Sequence, residues 1–123
     1  MTEPIIVRRK LAPEKLVEIV RNNHEEMAKV DVDIERRILS IGGEWHSEGE
    51  ELLVQDGSKS TDVWGTNLYP WKAPGGRIVY HSLINLKPVL GHREMEIKDA
   101  ALQKRIRGVI NELLLADDEN VPD

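Results

Sequence analysis

Carboxylates, a histidine and most of the aromatic side chains of this chain fall within positions 30–71, VDVDIERRILSIGGEWHSEGEELLVQDGSKSTDVWGTNLYPW. Acid–base chemistry is one use for them. An imidazole titrates near neutrality and needs only a carboxylate to orient it, so His46 beside Glu44 or Asp56 is a candidate pair. With Ser58 and Asn67 as companions, the candidate catalytic set is His46, Glu44, Asp56, Ser58 and Asn67. Ser58 lacks the flanking glycines of a nucleophile elbow, and Asp56-Gly57-Ser58 reads first as a turn. Metal binding is a second use. In an extended backbone Glu44, His46 and Glu48 share a face and offer a divalent cation three ligands. A complete site would also need Asp31, Asp33 or Asp56 to fold over it, so the plainer expectation is a solvated acidic face with no metal and no cofactor. Gly42-Gly43 lacks the lysine and helix entry of a phosphate loop and reads as a bend or bulge.

The aromatics supply a third use. Trp45, Trp64, Tyr69 and Trp71 are four of the five aromatic side chains in a chain without phenylalanine. Trp and Tyr combine large contact area with a polar handle, so these four are the candidate binding residues, with burial in the core as the competing role, above all for Trp64. An exposed remainder would be most simply covered in a symmetric homodimer. The other histidines carry less: His24 reads as a helix-end residue, His81 as a strand residue and His92, before Arg93, as a loop residue.

Composition limits the partners. The net charge of -5 opposes a phosphate backbone, so nucleic acid is not the expected partner, although Arg8-Arg9-Lys10 and Lys104-Arg105-Arg107 are local basic clusters. Absence of cysteine removes disulfides, thiolate metal sites and cysteine nucleophiles, and suits a reducing cytoplasm. The apolar run Ile5-Ile6-Val7 is too short for a signal core or a membrane span, so no membrane association is expected.

Periodicity gives the elements that must hold these groups. Ile5-Ile6-Val7 reads as a short strand, and Pro13 as the first turn of a helix with Leu16, Ile19, Val20 and Asn23 on one stripe. Residues 29–35 alternate in strict period two, with Val30, Val32 and Ile34 on a buried face and Asp31 and Asp33 on an acidic one. The phase breaks at Arg36-Arg37, where a bulge or turn must intervene. A hairpin over 52–69 is preferred for the next stretch; a helix capped by Ser47 and Glu50 and ended by Gly57 competes with it. Residues 77–86 read as a further strand. From Asp99, Leu102, Ile106, Val109, Ile110 and Leu113 follow helical spacing to about Leu115. Length and pattern predict one α+β domain over 1–115, an antiparallel or mixed sheet with an N-terminal and a C-terminal helix packed on one face, and an acidic tail, 116–123, that frays.

Asp33-Ile34-Glu35, Ile41-Gly42-Gly43-Glu44, His46, Leu52-Leu53, Asp56-Gly57-Ser58, Trp64-Gly65, Asn67 and Tyr69-Pro70 together resemble a small prokaryotic family known as domain of unknown function 5674. The resemblance extends to Ile84-Asn85 and the C-terminal helix. It implies a single cytoplasmic domain and transfers no activity. The expected function is therefore a non-catalytic binding or oligomerising module, with a protein or small-molecule partner. The alternative is a small enzyme with a Glu/His/Asp pocket, in one version dependent on a divalent metal.

Overall fold

The structure, a computed structural model, describes residues 3–123. In chain order it contains β1 (Ile5–Val7), α1 (Pro13–Asn23), β2 (Ala28–Asp33), β3 (Ile38–Ile41), α2 (His46–Gln55), β4 (Val63–Leu68), β5 (Ile78–Val79) and α3 (Ala100–Leu113). The strands form one antiparallel sheet in the order β1-β3-β2-β4-β5. The fold is thus α+β, and the sheet is wholly antiparallel.

The period-two pattern decides what each face meets. Val30 lies opposite Ile41, Val32 opposite Leu39, and Val7 opposite Leu39, which places these apolar residues on one face. On that face α1 lays Leu16, Ile19 and Val20, and α3 lays Ile106, Val109, Ile110 and Leu113. Each such side chain contributes about 1.5–3 kcal/mol by leaving water. Both helices begin where the sequence signals them. Pro13 stands in the first turn of α1, and Asp99 accepts from the N–H groups of Ala101 and Leu102 at the start of α3.

The phase break at Arg36-Arg37 is a reversal. One carboxylate oxygen of Asp33 accepts from Glu35 N–H (2.9 Å) and Arg36 N–H (3.0 Å), and Arg37 takes φ +55° before β3 begins. The acidic side of β2 is not solvated, contrary to its pattern: Asp31 and Asp33 are both buried. α2 covers that side, with Leu53 packed on Ile38 and Val63 and flanked by Ile6 and Ile84. The hairpin expected over 52–69 is therefore replaced by α2 followed by β4, and the competing helix is the one that forms. Desolvation, with the nearby Glu50 carboxylate second, raises the Asp31 carboxyl well above the ordinary carboxylate range.

Two further segments differ from their patterns. Of the strand expected over 77–86, only Ile78 and Val79 pair with β4, opposite Leu68 and Asn67. Where fraying is expected in 116–123, Val121 joins the main core, and buried Arg77 donates to Ala116 O (3.1 Å) and Asn120 Oδ1 (3.0 Å). Composition identified the tail's acidity but not the guanidinium that holds it. Among the described residues no helix is long and apolar enough to cross a membrane.

Candidate functional site

Gly42 (φ +101°) and Gly43 (φ +85°) turn the chain out of β3 through left-handed backbone that other residues rarely adopt. Glu48 Oε1 then accepts from the N–H groups of Glu44 and Trp45, both at 2.8 Å, and caps α2. The cap therefore lies ahead of Ser47, and helical backbone over 46–55 removes the shared extended face assumed for Glu44, His46 and Glu48. The Glu48 carboxylate is engaged at the cap, and Glu44 points to solvent. Among the described residues no three His, Asp or Glu side chains are grouped to hold a metal ion.

His46 turns toward the sheet, and its Nε2–H donates to the carbonyl of Thr66 at 2.7 Å. Burial pulls its pKa down to about 4; the bond to Thr66 resists, and Lys29, His81 and His24 add to the lowering. The neutral ring is thus an anchor between α2 and β4. Because the folded-state pKa is below the ordinary 6.5, stability is fully present above pH 6.5 and is lost as pH falls toward about 4. We expect a loss of about 2–3 kcal/mol over that window, after allowance for partial solvent access. Denaturant titrations at several pH values would measure it, and His46→Gln, which retains a donor for Thr66, should flatten the profile.

Asp56 and Ser58 lie at the other end of α2. Asp56 accepts from Arg8 (2.6 Å) and Arg36 (2.8 Å), and Ser58 Oγ accepts from Arg36 Nη1 (2.9 Å). Hydrogen bonds from Arg8 and then Arg36 hold the Asp56 carboxyl down at about 2. Gly57 takes φ +109°, so Asp56-Gly57-Ser58 is the turn that ends the helix. A ten-residue helix spans about 15 Å, which separates Asp56 and Ser58 from His46. Asn67 follows Thr66 in β4 and sends Nδ2 toward the His81 carbonyl at 3.5 Å, while its Oδ1 is buried without a partner. Of the five candidate catalytic residues, Asp56 and Ser58 share the Arg36 guanidinium, His46 lies at the other end of α2 against the carbonyl of Thr66, Asn67 turns to His81, and Glu44 is exposed.

The four candidate binding aromatics also divide. Trp64 is buried, edge-on to the His92 ring with centroids 5.2 Å apart. Trp45 is 62% exposed at the start of α2. Tyr69 and Trp71 line a cavity of about 380 Å³ beside the end of α1. Arg21 sits over the Trp71 ring at 4.5 Å and Lys72 over the Tyr69 ring at 4.2 Å.

Sequence reasoning missed the loop 82–95. Before Asn67 the outer edge of β4 has no partner strand among the described residues, and the Asn85 amide takes that place: Oδ1 accepts from Gly65 N–H (2.8 Å), and Nδ2 donates to Gly65 O (3.0 Å) and Met95 O (3.0 Å). Lys87, also buried, donates to Ser60 O at 2.7 Å and lies 3.6 Å from Glu50. His92 Nδ1 bonds the Asn85 carbonyl at 2.7 Å, and Lys87 and His92 exchange backbone hydrogen bonds. The loop turns Ser82, Asn85 and Lys87 inward, with Ile84 on the Leu53 cluster, and leaves most of its large apolar side chains outside. Leu83 is 70% exposed and Val89 87%, with Leu86, Leu90 and Met95 also exposed. The available signal was Pro88, which cannot donate within a central strand, and Asn85 in an otherwise apolar run.

A family model described as "Protein of unknown function (DUF5674)" matches residues 5–113. No curated protein and no solved structure matches the chain.

Proposed function

We propose, from the premise that this chain belongs to the DUF5674 family, that it is a non-catalytic module of the prokaryotic cytoplasm that pairs with a second copy of itself through the loop 82–95. The apolar outer surface of that loop carries the reading. Leu83 and Leu86, three residues apart across the turn Leu83–Asn85, project to the same side, and Val89 and Leu90 follow on the turn Pro88–Leu90. Contiguous apolar patches larger than roughly a few hundred Å² are rare on monomers and mark contact sites, because leaving them in water forgoes the largest favourable term in association. An anchored loop also loses little conformational freedom on binding, which lowers the entropic cost of association. A two-fold axis lets one such patch meet its own copy, and the neighbouring Arg93, Glu94, Glu96 and Lys98 offer both charge signs for the rim.

The enzyme alternative would have to work with His46 and the Asp56–Ser58 pair at opposite ends of α2. The test is the mass of the particle in solution by light scattering. Leu83→Glu with Val89→Glu should convert a dimer to a monomer, since each partner would bury carboxylates against apolar surface. Trp45→Ala, which removes the exposed aromatic on α2, should leave the dimer intact. Dissociation by Trp45→Ala alone would move the contact to α2 and refute this reading.

A further inference from the structure

We propose that the cavity between the end of α1 and the Tyr69–Trp71 segment binds a zwitterion, specifically a free α-amino acid with an apolar or aromatic side chain. Its walls combine two aromatic rings with charges of both signs. Arg21 and Lys72 are the cations; Glu25, Glu26 and Asp123 are the carboxylates. Among the described residues, Arg21 and Lys72 form no ion pair, and neither do these three carboxylates. The cations rest instead on ring faces, Arg21 on Trp71 and Lys72 on Tyr69.

That arrangement selects against singly charged ligands. A simple anion entering the cavity would meet three carboxylates, and a simple cation would meet a guanidinium and an ammonium. A ligand carrying both charges can place its carboxylate on the fork of Arg21 and its ammonium toward Glu25 or Glu26, so that each unpaired set is neutralised. The lining of the cavity is more apolar than polar, which suits an apolar side chain, and the volume of about 380 Å³ is within the range of small-ligand sites. Trp71 is fixed for this role, because its indole N–H donates to Pro122 O at 3.0 Å. None of these residues belongs to the loop 82–95, so the site stands or falls independently of self-association.

The experiment is a calorimetric titration of the full chain with L-phenylalanine, phenethylamine, which lacks the carboxylate, and 3-phenylpropionate, which lacks the ammonium. Saturable binding of L-phenylalanine is expected, with each analogue at least about tenfold weaker, as befits loss of one charge-assisted contact. Arg21→Gln should bring L-phenylalanine down to the affinity of phenethylamine. Arg21 is exposed and its side chain makes no hydrogen bond among the described residues, so this variant should retain the wild-type unfolding midpoint. Equal binding of either analogue, no binding of the amino acid, or full affinity in Arg21→Gln would overturn the proposal.

Discussion

Gly49→Ala should destabilise the protein by about 3 kcal/mol, against the sign that helix propensity alone predicts. Gly49 lies within α2, and alanine in a helix interior gains roughly 1 kcal/mol over glycine. The surroundings decide the outcome. A Cβ at this position would overlap Asp31 Oδ2 and Ser40 Oγ, two buried polar atoms on the covered face of the sheet. Both side chains are buried, so rotating either away from the new Cβ would have to displace packed neighbours. α2 would have to lift off the sheet, carrying with it the His46 bond to Thr66 and the contact of Leu53 with Ile38 and Val63. Equilibrium urea denaturation measures the loss. A stabilised Gly49→Ala would mean that α2 does not rest on the sheet as described.

Asn85→Ala should cost about 3–5 kcal/mol, since it strands both buried backbone groups of Gly65 and takes from Met95 O one of its two donors, leaving only Ser82 N–H. Gly65 N–H, Gly65 O and Met95 O all bond to this one amide. The Asn85 side chain is fully buried, and the edge of β4 it occupies is closed to water by the same loop. Loss of the amide should therefore also release the loop. Amide exchange at Gly65 should rise well beyond what the global loss of stability accounts for, and self-association should weaken even though none of the exposed apolar side chains has changed. Unchanged exchange at Gly65 would show that the loop is held by other contacts, Lys87 with Ser60 foremost among them.

These two residues also mark where the sequence ceased to be readable. β1, α1, β2 and α3 are legible because their buried faces are built of aliphatic residues at the period of their own backbone; Leu16, Ile19 and Val20 or Ile106, Val109, Ile110 and Leu113 admit one reading. α2 is not, because its buried residues are His46, Gly49 and Leu53, a face in which a histidine and a glycine stand where periodicity looks for aliphatics. The glycine is demanded by Asp31 and Ser40, which lie distant in sequence, so no local pattern can announce it. The loop 82–95 misleads for the opposite reason. Its first part, Ser82 to Leu86, continues the strand-like run from Ile78, but Ser82 and Asn85 spend their side chains on backbone groups, and Leu83, Leu86, Val89 and Leu90 are left outside. The tail is a third instance, since Arg77 reaches it across some forty positions. In each case a polar residue works at long range, and hydrophobic periodicity carries no record of it.

The same consideration bears on the site. His46, Asp56 and Ser58 look like catalytic material because of their type and closeness in sequence, whereas a helix of ten residues sets His46 apart from the other two and assigns them to an inter-element bond and a turn. The loop 82–95 carries five of the exposed large apolar side chains, Leu83, Leu86, Val89, Leu90 and Met95, and self-association through them is the role proposed for it. Sedimentation equilibrium of the wild-type chain over a wide concentration range tests this most directly. A weight-average mass that climbs from 14.0 kDa toward twice that value with rising concentration is the expected result; a mass that stays at 14.0 kDa at the highest concentration reached would contradict it.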